Sequence, residues 1–177
     1  MKRAVLFACL LALTFPAFAQ DADTGGPITN QAERDVVAQR VRGGASCSGC
    51  DLFQIDLSYQ VVSGRNFTGS RIRQSDMTIA IADRANFTGA NLSLANLFGV
   101  RATGANFTGA NLDEASLVGA YFGSANFTGA RLRGTNLSGA DMANVRGLTQ
   151  EQLNTACGDA TTTLPSGLTV PTCGNNQ

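Results

Sequence analysis

From Ala45 to Asn144 the chain advances in steps of five residues without an insertion or deletion, and this register constrains the fold more than any other feature of its 177 residues. The blocks begin ASCSG, CDLFQ, IDLSY, QVVSG, RNFTG and end ARLRG, TNLSG, ADMAN. Of the 20 blocks, 17 carry Leu, Ile, Val, Met or Phe at the centre, and the others carry Cys47, Ala82 and Ala102. Ala opens 12 blocks and Gly closes 11. A period of five fits neither an α-helix at 3.6 nor a strand at two, so the chain must turn at fixed intervals. First and central positions lie two apart and face one way in extended chain, with small and large residues alternating inward. Gly at the fifth position permits the turn. One such coil cannot bury its apolar side alone, so coils must stack.

Phe gives the number of sides. RNFTG and three copies of ANFTG begin at Arg65, Ala85, Ala105 and Ala125, 20 residues apart. Four blocks per coil place Phe67, Phe87, Phe107 and Phe127 in one interior ladder. The expected fold is therefore all-β, with about five coils and a length near 24 Å at ~4.8 Å per coil.

These blocks resemble the pentapeptide repeat family, whose pattern is A-(D/N)-L-x-x with Leu or Phe central. The resemblance implies a right-handed quadrilateral β-helix. Two residues depart from it: Gln60 and Arg65 stand at first positions, where a small inward residue is expected. Burying an unpaired Arg is costly, so a distorted coil or outward-turned side chains are expected there. Ala82 and Ala102 are small centres on one side, which Tyr121 and Phe122 could compensate.

The flanks divide the rest of the chain. Residues 1–19 read as a signal peptide: a basic start, an apolar run to Phe15, and Ala17-x-Ala19 for cleavage after Ala19. Its twelve apolar residues span only about 18 Å, too short for a bilayer, and no membrane span is expected after cleavage. This implies a periplasmic or secreted protein. Residues 20–44 read as a flexible leader and a helix over 30–42, with Asn30 and Glu33 as a capping-box analogue and Gly43 as the stop. Val36, Val37 and Val41 are expected to cover the first coil. The β-helix is assigned to 45–147. Residues 148–177 read as a second short helix, about Gln150 to Cys157, then an extended tail. Thr149 with Gln152 supplies its capping box. The run LTQEQLNTACGDATTTLPSGLTVPTC is similar to the tails of exported proteobacterial pentapeptide repeat proteins, as is the Cys-x-x-Cys before the first Leu-centred block.

In an oxidising compartment Cys157 pairs naturally with Cys173; a loop of that size contributes about 3 kcal/mol in the chain-entropy model. Cys47 and Cys50 admit a redox-active pair, a local disulfide or simple apolar packing. A zinc site shared among all four is excluded by a rod of ~24 Å against Zn–S bonds of ~2.3 Å.

Chemistry is restricted by what is missing. The chain has no His, and its single Lys, Lys2, lies in the expected leader. Imidazole acid–base catalysis and Lys Schiff-base chemistry are thus excluded. After cleavage 11 Arg face 13 acids, a net charge of −2, which argues against a nucleic-acid partner. Asp113 and Glu114, the one adjacent acidic pair, are expected to point outward from a side without a pocket. No enzyme activity and no cofactor or metal is expected. The resemblance also raises DNA mimicry toward gyrase, which the export signal and near-neutral charge disfavour. A flat grid of Asn66, Asn86, Asn106 and Asn126 beside Thr68, Thr88, Thr108 and Thr128 raises a lattice- or ice-binding face. Arg71 and Arg73, Asp113 and Glu114, and Arg131 and Arg133 form alternating charge bands on the next side. On the side after that, Tyr59, Ile79, Phe98 and Val118 place an apolar group outward on successive coils, with Phe53 and Leu94 on the neighbouring side. Such a stripe marks a contact surface for a protein partner or a second copy, unless the N-terminal segment covers it.

Overall fold

The computed structural model describes residues 31–174. The expected leader, its cleavage site and Asn30 lie outside the described residues. Each side of a coil is too short for a long strand, so the ladder is a series of single parallel bridges. Each joins the second residue of a block to its counterpart 20 residues later, as in Asp51–Arg71, Asp56–Asp76, Val61–Ile81 and Asn66–Asn86. The third-position N–H donates to the next coil, as from Phe67 to the Asn86 carbonyl at 2.7 Å, and the second-position N–H donates to the preceding one. Between sides, the N–H opening most blocks returns to the preceding centre, as from Ala90 to the Phe87 carbonyl at 2.9 Å. The fifth residue of the block has positive φ in every block but the last. This is a β-turn with a left-handed residue at its third position, where Gly is the unstrained choice.

The interior is largely apolar and layered. Phe67, Phe87, Phe107 and Phe127 are fully buried, with successive centroids 5.2, 5.1 and 5.0 Å apart. Phe122 stands edge-on to Phe107 and Phe127 at 5.7 and 5.2 Å and fills the space beside the small centres. Tyr121, also expected to help there, instead lies outside and is 43% exposed. Its second position in the block faces solvent.

The coil around 60–65 is not distorted, since the bridges Val61–Ile81 and Asn66–Asn86 continue through it. Arg65 leaves the interior along the rod axis. Its guanidinium donates to the Val41 carbonyl and, at 2.6 Å, to the Val61 carbonyl. Val41 lies in the last turn of α1 (Gln31–Arg42), so a cation meets the negative end of that helix. The neighbouring Arg42 donates to the Asp56 carbonyl at 3.0 Å, occupying a second acceptor of the first coil. Val41 and Ala38 are buried and Val37 is half-buried, but Val36 is 58% exposed. The inward set is therefore 37, 38 and 41, one helical stripe, and Val36 falls off it. The helix ends at Arg42 as expected, but Gly44 and not Gly43 takes the left-handed position. Gly44 has φ 111°, Ala45 N–H bonds the Arg40 carbonyl and Gly44 N–H the Val41 carbonyl, a Schellman ending.

At the other end the ladder runs past residue 147. Asn126 pairs with Arg146, Asn136 with Cys157 and Asp141 with Thr163. α2 is only Gln150–Leu153, much shorter than the stretch expected to reach Cys157. Its capping box of Thr149 and Gln152 is formed. Gln152 Nε2 also donates to the Phe127 and Ala130 carbonyls at 2.9 and 2.7 Å, standing in for a ladder strand on that side. The chain then leaves the helix because the coil below needs acceptors: Gly134 and Leu137 N–H groups bond the Thr155 and Cys157 carbonyls. The tail adds a further layer. Gly158 bridges Thr172, Gln150 clasps the Thr169 backbone, and the Cys157 and Cys173 sulfurs lie 2.01 Å apart. The Cys47 and Cys50 sulfurs lie 1.96 Å apart at the first coil.

Candidate interaction surface

The outer faces follow two local rules. Within a block, the second-position Asn or Asp accepts the N–H of the fourth residue, as Asn86 does from Thr88 at 3.0 Å and Asp76 from Thr78 at 2.9 Å. Between coils, a second-position side chain donates to a fourth-position side chain 18 residues earlier. Asn96, Asn106 and Asn126 donate to the hydroxyls of Thr78, Thr88 and Thr108 at 2.9–3.0 Å. Each of these hydroxyls gives its one proton to the Asn or Asp of its own block. The Asn/Thr grid is thus largely spent on itself, which weakens a lattice-binding reading of that face.

Arg and Asp substitute for Asn and Thr in the same rung. Arg101 reaches Asp83 at 2.6 and 2.9 Å, and Arg131 bonds Asp113, again 18 residues apart. Replacing Asn by Arg also removes the acceptor for the fourth-position N–H. The carboxylate below takes it over: Asp83 accepts from Thr103 N–H at 3.0 Å, Asp113 from Arg133 N–H at 3.2 Å. Burial pushes the Asp83 carboxyl up, but hydrogen bonds from Arg101 and Thr103 outweigh it and hold the group below its ordinary pKa. The expectation for Asp113 is corrected here. It is 4% exposed beneath Arg131 and Arg133, and it helps line two shallow cavities of about 300 and 230 Å³. The side has a trough because small Ser93 and Asn111 lie between long Arg side chains. Glu114 is exposed at its rim, so the two acids do not act as a pair.

The apolar residues separate into covered and open ones. Phe53 is half-buried with the Arg71 guanidinium 4.4 Å above its ring, a cation–π cover, and Val118 is half-buried. Leu94 is 37% exposed on the Arg side. Tyr59, Ile79 and Phe98 are 70%, 46% and 47% exposed. Sequence reasoning missed Val61, 55% exposed, and the half-buried Ile81, which form a bridge of their own just around the corner from Tyr59 and Ile79. Their signal was present: both stand at second positions, where Asn or Asp makes the local turn. One open apolar corner therefore joins the third and fourth sides of the first coils.

Tyr59 and Ile79 have φ of 60° and 55° at the turn position that Gly holds in most blocks. Such a conformation costs a non-Gly residue roughly 1–3 kcal/mol and is a true outlier for a β-branched one. Gly is equally available at both sites, so large apolar side chains stand there against the preference of the backbone.

Among the described residues no helix is long and apolar enough to cross a membrane. A family model for pentapeptide repeats matches residues 63–99 and 105–144, with 8 copies. No curated protein sequence matches the chain. Three similar solved structures are pentapeptide repeat or resistance proteins. HetL of Nostoc, involved in heterocyst differentiation regulation, is 21% identical over 75% of this chain and 61% of its own, with TM-score 0.30. A protein of the Arabidopsis thaliana thylakoid lumen is 30% identical over 78% of this chain and 90% of its own, with TM-score 0.32. QnrB1, a plasmid-mediated fluoroquinolone resistance protein, is 19% identical over 73% and 85%, with TM-score 0.34. The matched repeats coincide with the blocks whose bridges recur every 20 residues, and the chain belongs to the pentapeptide repeat family, built as a quadrilateral β-helix.

Proposed function

We propose that this is an exported, non-catalytic scaffold that binds a macromolecular partner through the apolar corner around Tyr59, Ile79 and Phe98. The rod has five coils, closed by α1 at one end and by α2 with the cystine-tied tail at the other. The observation that carries the reading is that Tyr59 and Ile79 hold left-handed turns at this corner; Leu94, on the Arg side, is a third bulky apolar residue in that conformation. Strain of this kind persists where a site needs the side chain. A contiguous apolar patch bordered by polar groups is the usual form of a contact surface.

Two further features support the reading. Among the described residues the one buried carboxylate beside a cavity, Asp113, is held by two guanidiniums and a backbone N–H, which leaves it poorly placed as a general base. The leader read over residues 1–19 and the two cystine pairs fit an oxidising compartment, periplasmic or extracellular. Immobilised protein is expected to capture its partner from the native envelope or medium, and Tyr59→Ser with Phe98→Ser to abolish capture while leaving the circular dichroism spectrum unchanged. Undiminished capture by that double variant sinks the reading.

A further inference from the structure

Independently of the apolar corner, we infer a second binding site on the side that carries the Arg bands: an open trough for an acidic saccharide, a chain of sugar rings bearing carboxylates. Two rungs of the outer ladder stay open there. Elsewhere a second-position Asn donates to a hydroxyl 18 residues earlier, as Asn106 does to Thr88. Asn91 has Arg73 in that place, a donor set against a donor. Asn111 has Ser93 there but does not bond it. Among the described residues neither the Asn111 amide N–H groups nor the Ser93 hydroxyl has a partner. Ser93 is nonetheless only 9% exposed. Arg73 is half-buried, and its guanidinium forms no ion pair or hydrogen bond among the described residues. A cation and a hydroxyl at that depth are costly unless a ligand meets them.

Arg73, Ser93 and Asn111 line one cavity of about 230 Å³. The acceptors beside them are engaged: the Asn111 carbonyl takes the Asp113 N–H, and the Asp113 carboxylate is held by Arg131 and Arg133. Most of the open groups are therefore donors. Arg73, Arg131 and Arg133 against Asp113 and Glu114 leave the lining with a net charge of +1. An oxygen-rich anion suits such a surface. Its shape is set by the edge of the side, where Gln54, Gln74, Leu94 and Glu114 hold four successive left-handed turns at φ 57–59°. Among the described residues no other corner has more than two side chains in such turns. These four make a wall over three coil steps, about 14 Å, longer than a small inorganic anion uses. Leu94, 37% exposed within that wall, offers an apolar contact to the C–H face of a sugar ring, and Glu114 an acceptor for its hydroxyls. A carboxylate on Arg73, with sugar hydroxyls over Ser93 and Asn111, then uses every open group. An acidic peptide fits less well, because its backbone N–H groups need acceptors and Glu114 is the one uncommitted carboxylate of the lining.

Isothermal titration calorimetry of the purified protein with trigalacturonate at low salt tests this. Binding is expected, weakened by added salt. The methyl-esterified trisaccharide keeps the rings but not the charge and should bind about tenfold more weakly; Arg73→Gln should weaken trigalacturonate binding by a similar factor. Arg84→Gln removes the same charge from an exposed position on another side and is expected to leave binding unchanged. Leu94→Gly should weaken binding while raising the melting temperature, because it relieves a left-handed turn, an exchange that a purely structural Leu94 would not show. Thermal melts of each variant report folding independently. Absence of trigalacturonate binding overturns the site, as does equal binding of the methyl ester. An equal loss in Arg84→Gln also overturns it, marking bulk charge attraction. Equal or tighter binding of inorganic phosphate or of triglutamate overturns the saccharide assignment in favour of a general anion or an acidic peptide.

Discussion

Single residues show where the repeat is tuned and where it is imperfect. Ser70 and Thr135, at first positions, turn their hydroxyls to the carbonyls of Cys47 and Leu112. Ser75 stands in the same place, buried, and its hydroxyl has no partner. Ala is the commonest residue at that position, so Ser75→Ala removes an unsatisfied polar group without leaving a large void. It is expected to stabilise by about 1 kcal/mol, read as a higher midpoint in urea with an unchanged slope. Asp83 gives a pH prediction. Hydrogen bonds from Arg101 and Thr103 depress its folded pKa despite burial, and hydrogen bonds from Thr161 do the same for Asp159. A depressed carboxylate contributes stability above its unfolded pKa of about 3.9 and loses it as pH falls through the lower folded value. With no His in the chain, the melting temperature is expected to be flat from about pH 8 to 5 and to fall below about pH 4. Asp83→Asn should make that acid fall shallower; an equally steep fall contradicts the assignment.

At the scale of the coil, the structural unit is four blocks, and this much was legible from sequence because Phe is rare and its recurrence every 20 residues has one simple cause. Excising residues 85–104 removes one whole coil and rejoins Arg84 to Ala105 in register. The shortened protein is expected to melt cooperatively with a smaller urea slope. Excising only 85–89 rotates all later blocks by one side, places Leu92 over Phe67, and should lower the midpoint far more. Comparable stability in the two deletions contradicts a four-block coil. The ends and faces were less legible. Arg65 read as a defect because its partners, the Val41 and Val61 carbonyls, belong to α1 and an exposed edge that no periodicity specifies. Asp113 read as outward because a fourth position normally is; two Arg side chains from the next coil bury it. The brevity of α2 depends on acceptors that Gly134 and Leu137 require, a long-range demand invisible in the local capping signal.

Across the whole molecule, the repeat accounts for the rod almost completely, so the places where it is violated carry the most information about function. Val61 and Ile81 replace the turn-forming Asn or Asp, Tyr59 and Ile79 replace the turn Gly, and all four meet at one corner. Each of these choices works against the local preference of the backbone, and together they make an apolar surface. The most direct test is to replace Tyr59 and Ile79 with Gly and to measure thermal stability and association together. If the two side chains serve contact and not the fold, stability rises by about 1 kcal/mol per site, a few degrees in melting temperature, while association is lost. A lower melting temperature, or association that survives the change, contradicts the account.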